Sequence, residues 1–535
     1  MTQASSSSSS FRRRSIEEMM SPVDVGSFDW NAFEGTYQGR ALITRLSFIP
    51  LLLLSPSSHP TPQTIALSKA ALSRLIPHLK NDTWDHTTYL QSVRLLNDPT
   101  SFKRKDEYMD IDESTSGEAR DGQLIVDLDE QWIEDVKELE KRENSRLDVE
   151  LRGYLSNLIK ESIRLTYLAF AQLSVKVGNS ASAMKNYGAV REYSTSPQHH
   201  VDLGVGIVET LLAFNHPSTL PGHVSKLEAT LDRLHPPPTT AKNQAEAANV
   251  TASDIRERRE NELRSLSVRK SVMIRIKIAK GLVALYNKEW SRAARELMGV
   301  QEECGGLGVF EGKAISTSDI GLIVTFCTLA NGDRDQIRRN LLENPSFKSQ
   351  IGDSNSWLVD LINAFVDASY GEVMKLLYKS EPILLLNPFL SPHTTTLLDL
   401  IQNRCILQYV QPFSTIKIQT MANSFGLTQD QMLGLVEGLV EGRDIRGKID
   451  LIDHVLIMTE PDYRNEMFSN ALKVGKKAGE MTQSAILRMK MIEAGIIVDP
   501  RPPKSEKSGV DEKGQLLLDE GLGEGLGIDP PTYAA

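Results

Sequence analysis

The sequence predicts an all-α protein: a tetratricopeptide-like, right-handed helical solenoid, followed by a winged-helix module with a small β-hairpin and a C-terminal helix. Two patterns support this. From about residue 157 to residue 411, segments with one apolar face follow one another in pairs, and such helices are stable only where neighbours bury that face. Residues 412–458 then change to two short amphipathic helices and two short apolar strands.

Within the solenoid, residues 160–194 form the clearest predicted helix pair. Leu165, Leu168, Ala169 and Leu173 predict one buried stripe, and Gly178 with Asn179 predicts the turn that follows. Pro50 is expected to end the helix that contains the apolar run 46–54, because proline lacks a backbone N–H. Further helices are predicted at 31–96 (two or three), 131–151, 201–234 (a second pair), 254–287, 290–298, 316–329, 335–342, 356–368, 370–377 and 393–410.

The winged helix is predicted from spacing and capping. Ile418, Met421, Ala422 and Phe425 fall on one helical face, Gly426 ends that helix, and Thr428 is a good N-cap for the next. The second helix repeats the stripe, and two strands are predicted at 445–450 and 455–458. Its apolar residues are Met432, Leu433, Val436, Leu439 and Val440.

The charge of the second helix argues against DNA binding. A recognition helix needs Lys and Arg to neutralise phosphates, whereas residues 428–442 hold Asp430, Glu437 and Glu441 and no basic residue. We therefore expect this module to bind protein. We predict contact positions along the helix and the wing at Gly434, Gly438, Gly442, Ile445, Ile449, Val455 and Ile457.

The three glycines recur every fourth residue, although each interior glycine costs a helix about 1 kcal/mol. The spacing has either arisen by drift, or lets the helix pack closely on the first helix, or forms a smooth face against which the backbone of another chain can pack. We favour the last interpretation as a hypothesis.

A last helix is predicted at 462–494. Its apolar residues alternate steps of four and three, as in a heptad repeat, and we call them the C-terminal seam: Met467, Ala471, Val474, Ala478, Met481 and Ala485. The helix either folds back on the winged helix or joins a helical bundle shared between subunits. Lys473, Lys476 and Lys477 form a small basic patch that is typical of a solvated face.

Composition excludes several functions. The net charge is −10, and residues 106–130 hold ten acids against one base, Arg120; the remainder is nearly neutral, so no basic field attracts nucleic acid or an anionic membrane. The three cysteines are widely spaced and fit a reducing compartment. His-x-His, HExxH, P-loop and Gly-x-Ser-x-Gly motifs are absent, and His199 and His200 are expected to flank a turn. The sequence predicts no enzyme activity, no metal and no cofactor.

Four segments resemble a known family. The solenoid that leads into a winged helix is the layout of PCI-domain proteins. NRCILQYVQPFSTIKIQTMANSFGLT (403–428), YQGRALITRLSFI (37–49), the helix pair at 160–194 and the tail 473–498 resemble the subunit 1 family of the COP9 signalosome. The similarity spans roughly residues 28–498 with gaps. None of the four segments is a catalytic signature, so the resemblance rests on finding all four in the right order.

The resemblance implies a non-catalytic scaffold subunit of the signalosome, the complex that removes a ubiquitin-like modifier from cullin–RING ubiquitin ligases. It implies other PCI subunits as partners, with subunits 2 and 3 as neighbours, and a shared helical bundle for the tail helix. We expect a hetero-oligomer in nucleus and cytoplasm, without nucleic acid or membrane contact. The alternatives are the paralogous subunit of the 26S proteasome regulatory lid and, in a different class, a winged-helix nucleic-acid binder.

We predict seven segments along the chain. They are a disordered N-terminus at 1–27, N-terminal helices at 28–99, an acidic insertion at 100–130, the solenoid at 131–402, the winged helix at 403–460, a bundle helix at 461–498 and a disordered tail at 499–535.

Overall fold

The computed structural model describes residues 19–20, 29–54, 61–98, 127–235, 252–352, 355–459 and 463–495. Most of the predicted N-terminal tail, most of the acidic insertion, the polar loop after His235 and the C-terminal tail lie outside the described residues. The chain divides into two compact units, residues 1–459 and residues 460–535, and each is described by itself.

The described residues between 29 and 98 contain four helices, where the sequence predicted two or three. Their bounds are α1 Trp30–Thr36, α2 Gly39–Leu53, α3 Pro62–Asp82 and α4 His86–Asn97. Polar side chains cap three of them: Asp29, Thr61 and Asp85 each accept a hydrogen bond from a backbone N–H of the helix that follows. Together the four form a hydrophobic core that also takes in Leu385 and Leu386.

The prediction that Pro50 ends its helix is wrong, since α2 continues to Leu53 with Pro50 inside. An interior proline typically costs a helix about 3 kcal/mol. Leu46, Ile49 and Leu53, on the same helix, are almost completely buried, and each buried side chain contributes about 1.5–3 kcal/mol. Burial around the proline therefore outweighs the lost hydrogen bond.

The solenoid follows, and its predicted helix pairs are confirmed. Its helices are α5 Glu130–Ser156, α6 Lys160–Val177, α7 Ser180–Glu192, α8 Pro197–Ala213, α9 Leu220–Leu234, α10 Ala252–Tyr286, α11 Trp290–Cys304, α12 Thr317–Asn331, α13 Arg334–Ile337 (continued by a π-helix over Arg338–Leu342), α14 Pro345–Gln350, α15 Trp357–Val366, α16 Tyr370–Leu386 and α17 Thr394–Val410. The short helix α14 was not predicted.

Two local predictions in the solenoid are wrong. Leu165, placed in the buried stripe of α6, is 49% exposed, because the helix turns Ile163 and Thr166 inward instead. His199 and His200 do not flank a turn. They lie in the first turns of α8, which Ser196 caps and Pro197 begins.

A buried polar cluster fixes α2 to the solenoid. The Asp319 carboxylate accepts hydrogen bonds from the Arg45 guanidinium (2.6 Å) and the Tyr37 hydroxyl (2.8 Å) through Oδ2, and from the Asn387 amide (2.8 Å) through Oδ1. The Arg45 guanidinium also lies 3.9 Å from the centre of the Tyr37 ring. Burial, followed by the Asp319 charge, raises the pKa of Tyr37.

A second buried contact joins α2, α4 and α6. The Arg40 guanidinium lies 2.7 Å from the Asp85 carboxylate and 4.6 Å from the centre of the Phe214 ring. Gly178 ends α6 with a left-handed backbone, φ +89°, and a Cβ at this position would collide with the Asp85 carboxylate. Glycine is therefore required here both by the backbone conformation and by the close approach of Asp85.

The winged helix completes the first unit, and its core is continuous with that of the solenoid. It consists of β1 Thr415–Lys417, α18 Ile418–Phe425, α19 Gln429–Glu441, β2 Gly447–Asp450 and β3 Val455–Met458. The second unit contains α20, Tyr463–Glu493. The fold is therefore the one predicted, a helical solenoid followed by a winged helix and a further helix. No helix in the described part of the chain combines the length and apolar character that a bilayer span requires.

Candidate functional site

The two helices of the winged helix form as the spacing predicted. Ile418, Met421, Ala422 and Phe425 are all buried, and Gly426 ends α18 with φ +69°. Thr428 caps α19 in a reciprocal arrangement with Gln431. The buried stripe of α19 is Met432, Val436 and Leu439, whereas Leu433 and Val440 are half-buried. Asp430, Glu437 and Glu441 are exposed, so the outer face of α19 is acidic.

The sheet differs from the predicted hairpin. It has three strands in the order β1-β3-β2, both pairs antiparallel. The first wing strand begins at Gly447 rather than at Ile445, and the preceding strand β1 was not predicted. β3, with Val455 and Ile457, is therefore the central strand, and its backbone is paired on both sides. Ile445 lies in the core, where its N–H donates to the carbonyl of Leu439.

The hydrogen-bond register shows which backbone groups point outward. Thr459 N–H donates to the carbonyl of Arg446 (2.8 Å), and Gly447 lies opposite Met458. Because bonded pairs alternate in an antiparallel ladder, Lys448 and Asp450 bond to β3, while the N–H and C=O groups of Gly447 and Ile449 point away from it. We call this outer side of β2 the wing edge. Within the described residues it makes no backbone hydrogen bond.

The turn between β2 and β3 carries a feature that the sequence reasoning missed. Leu451 and Ile452 are 65% and 90% exposed, and the Asp450 carboxylate holds the turn by accepting from the Ile452 N–H (2.9 Å). His454 closes it with φ +50°. Two adjacent aliphatic residues in a predicted four-residue turn could have signalled an exposed apolar contact next to the wing edge.

The three glycines of the predicted smooth face do not share one environment. A Cβ on Gly434 would meet nothing within 4 Å, so this glycine is not required for packing on α18. Gly442 lies at the C-cap of α19, after its last residue. Gly438 is inside the helix and half-buried. That this face contacts another chain stays a prediction.

The C-terminal seam lies along α20, as its spacing predicted. Met467, Ala471, Val474, Ala478, Met481 and Ala485 are all exposed, and Met467 is 74% exposed. Phe468, Leu472, Leu487 and Met489 extend the exposed apolar surface of the helix. The predicted basic patch at Lys473, Lys476 and Lys477 is also exposed. An isolated amphipathic helix gains little stability by itself, and an exposed apolar surface of this kind is typical of interaction sites. That the C-terminal seam contacts another polypeptide stays a prediction.

Comparison with known proteins gives the same architecture. A family model described as "26S proteasome subunit RPN7" matches residues 129–340, and the PCI domain model matches residues 378–460. COP9 signalosome complex subunit 1b of Drosophila melanogaster is 27% identical over 69% of the chain and 64% of its own length. COP9 signalosome complex subunit 1 of Arabidopsis thaliana is 25% identical over 68% of the chain and 74% of its own length. The chain contains a PCI domain and is related to COP9 signalosome subunit 1.

The proteasome relatives match a smaller part of the chain. The 26S proteasome non-ATPase regulatory subunit 6 of Dictyostelium discoideum is 23% identical over 28% of the chain and 39% of its own length. The two signalosome relatives align with 69% and 68% of this PCI-domain protein, more than twice the 28% that the Dictyostelium subunit covers. The chain is therefore similar to the signalosome relatives over a larger part of its length than to this proteasome relative.

The cysteines of the PCI-domain protein have the character of buried apolar residues. Cys327 and Cys405 are buried in the common core, and burial raises the pKa of both thiols, that of Cys405 to about 12. Cys304 is half-buried, and burial raises the pKa of its thiol too. Raised pKa values leave little thiolate at neutral pH. Among the described residues no group of three or more His, Cys, Asp or Glu is placed to hold a metal ion.

Proposed function

We propose that this chain is a non-catalytic scaffold subunit of a COP9 signalosome, the complex that removes a ubiquitin-like modifier from cullin–RING ubiquitin ligases. The observation that carries the proposal is the wing edge of the PCI domain. There Gly447 and Ile449 direct their N–H and C=O groups away from the sheet. An extended strand of a neighbouring subunit can pair with such groups and continue the sheet.

The side chains around the wing edge suit a protein partner. Ile449 is half-buried, and Leu451 and Ile452 present apolar surface directly after it. Aliphatic side chains flanking a free strand add apolar burial to backbone pairing. The acidic outer face of α19 would at the same time repel a nucleic-acid duplex.

The C-terminal seam supplies a second contact. Its exposed methionines and alanines repeat at heptad spacing, the pattern by which helices from different chains pack side by side. We propose that α20 joins a helical bundle formed with sister subunits. Two separate contacts on one chain strengthen association because the second becomes intramolecular once the first has formed.

The catalytic step belongs, in this proposal, to a different subunit that binds metal. The chain itself has neither the His-x-His nor the HExxH arrangement that a metal-dependent isopeptidase requires. Its partners are other PCI subunits, with subunits 2 and 3 as the proposed neighbours, and cullin–RING ligases are contacted only indirectly. The proposed locations are nucleus and cytoplasm.

The wing edge is tested by a proline that removes one outward donor. Ile449→Pro deletes the N–H that points away from β3 and leaves the β2–β3 hydrogen bonds intact. Ile449→Ala is the matched control, because it shortens the same side chain but keeps the N–H. Tagged variants are expressed in the native cell, and co-purifying subunits are quantified by mass spectrometry.

We expect Ile449→Pro to lose sister subunits and Ile449→Ala to retain most of them. Equal recovery with both variants would contradict pairing at the wing edge. Purification of the unmodified tagged chain tests which complex it belongs to. Recovery of cullin-deneddylating activity supports the signalosome proposal, whereas recovery of proteasome particles would overturn that proposal.

A further inference from the structure

A groove on the solenoid, remote from the wing edge, is a second candidate interaction surface. Its volume is about 1210 Å³. One wall is α6, the other is α10, α8 forms the floor, and residues 38–40 close one end. The floor and walls include apolar side chains that are partly exposed to the groove, among them Leu168, Val205 and Val268. We call it the solenoid groove.

The charges of the groove are unequal along its length. Lys176, at the C-terminal end of α6, and Lys313 are exposed. In the part of the chain that the structure describes neither forms an ion pair with a carboxylate, and the Lys176 ammonium lies 5.0 Å from the centre of the Trp84 ring. Arg40 lies at the same end. The acidic residue Asp202 lies near the start of α8. Arg40 lies at the opposite end of that helix, because it contacts Phe214, the residue after the end of α8. The end formed by residues 38–40 is therefore basic.

Two guanidinium groups in the groove are held in place before any ligand arrives. Arg275 donates from Nε to Glu209 (2.5 Å) and from a terminal nitrogen to Ser271 (2.6 Å to its carbonyl), and it lies 5.0 Å from the centre of the Phe310 ring. Arg40 is held by Asp85 and Phe214. Each guanidinium is therefore already paired with a carboxylate, and among the described residues the uncompensated positive charge of the groove is that of Lys176 and Lys313.

We propose that the solenoid groove binds an extended acidic peptide segment of another protein. Acidic side chains of the segment lie at the end where the exposed Lys176 and Lys313 line the groove, and an aliphatic side chain lies over Val205 and Val268. Ser267 and Ser271 on the α10 wall line the groove and are exposed. The Ser267 hydroxyl donates to the Arg264 carbonyl and the Ser271 hydroxyl accepts from Arg275, so the Ser267 oxygen remains able to accept from a peptide N–H and the Ser271 hydroxyl remains able to donate. Charge complementarity selects an acidic partner over a basic one.

The proposal is tested on the full-length chain with a fluorescein-labelled synthetic peptide in which glutamate and leucine alternate. A peptide with lysine in place of glutamate is the charge control. Binding is followed by fluorescence anisotropy at low and at physiological salt. The double variant Lys176→Glu/Lys313→Glu reverses the basic end, and Lys226→Glu/Lys348→Glu makes the same change of net charge at exposed lysines outside the groove.

We expect the glutamate peptide to bind more tightly than the lysine peptide, and salt to weaken its binding. The groove variant should bind about tenfold more weakly or worse, because reversal replaces two attractions by two repulsions, and the control variant should bind as the unmodified chain does. Circular dichroism verifies that both variants are folded.

Three results would overturn the proposal. They are no binding by the unmodified chain, equal weakening in both double variants, and equal affinity for the two peptides. A further result would overturn the proposal that the peptide belongs to another protein. If the synthetic peptide binds only after residues 106–126 are deleted, the groove binds this chain's own acidic segment. Neither this experiment nor its failure bears on the wing edge, which is tested separately.

Discussion

Asp319 is predicted to fix the N-terminal helices to the solenoid, and Asp319→Ala tests this. Asp319 is 4% exposed, and its ion-pair partner Arg45 is 3% exposed. Removal of the carboxylate leaves the guanidinium buried with no second carboxylate within 4 Å among the described residues. Loss of one partner of a buried pair costs about 3–5 kcal/mol, and the Tyr37 hydroxyl and the Asn387 amide lose acceptors as well.

The magnitude can be measured locally by hydrogen exchange. A loss of about 3–5 kcal/mol in the free energy of local opening corresponds to exchange in α2 that is roughly a hundredfold to a few thousandfold faster. Mass spectrometry resolves this on peptides from residues 39–53. Exchange in α18 and α19 should not change, because those helices belong to a different part of the core.

The control is Glu143→Ala on α5. Its partner Arg146 is largely exposed, at 3.1 Å, and such surface pairs contribute only about 0.3–0.5 kcal/mol. We expect about a twofold change at most from this variant. If Asp319→Ala accelerates exchange in α2 by no more than the control does, the buried cluster does not hold the N-terminal helices and the reasoning is refuted.

Three further variants are predicted. Burial alone would raise the pKa of Asp85, but the Arg40 charge and hydrogen bonds from the start of α4 hold that pKa below its usual value. The stability that the ionised carboxylate contributes is therefore present above about pH 4 and is lost as pH falls through the folded-state pKa. The protection factors of the α4 amides, which correct for the slower intrinsic exchange in acid, should fall in that range, and Asp85→Asn should abolish this pH dependence. Gly178→Ala should lower the thermal midpoint, because the left-handed backbone and the Asp85 carboxylate both oppose a Cβ. Met481→Asp should leave the melting of the isolated chain unchanged and abolish co-purification of sister subunits, since this seam residue is exposed in the single chain.

The glycine and seam variants each have a matched control. Gly188 lies inside α7, where a Cβ would meet nothing within 4 Å, so Gly188→Ala should not lower the midpoint. An equal drop for both glycine variants would show that the close approach at Gly178 is unimportant. Gln483→Asp places the same charge on α20 outside the seam; loss of partners with this variant too would point to a general charge effect. Persistent acid sensitivity in Asp85→Asn would assign the titration to another group.

The helices of the winged helix could be predicted because their determinants are local. The stripe of α18, the left-handed Gly426 and the Thr428 cap all lie within a dozen residues, and helical periodicity and capping are local properties. Leu165 shows the limit of this reasoning. Both faces of α6 carry apolar residues, and only the packing of the neighbouring helices decides which face is buried.

The sheet order and the Asp319 cluster depend on contacts between distant residues. β1 is three residues long, and its partner β3 lies some forty residues later, so no local periodicity indicates the pairing. Tyr37 and Arg45 were recognised only as part of a sequence signature. Their partner Asp319 lies 282 and 274 positions further along the chain, and nothing in the intervening sequence indicates that the three side chains meet.

That separation has a consequence for biosynthesis. At a translation rate of about 5–20 residues per second, the 274 positions between Arg45 and Asp319 require roughly 14–55 seconds to synthesise. During this interval the first helices have left the ribosome while the surface that receives them does not yet exist. The N-terminal helices can bury apolar side chains against one another in this interval, but Tyr37 and Arg45 have no Asp319 carboxylate to bind until residue 319 emerges. Docking of these helices on the solenoid is therefore a late step of folding on the ribosome.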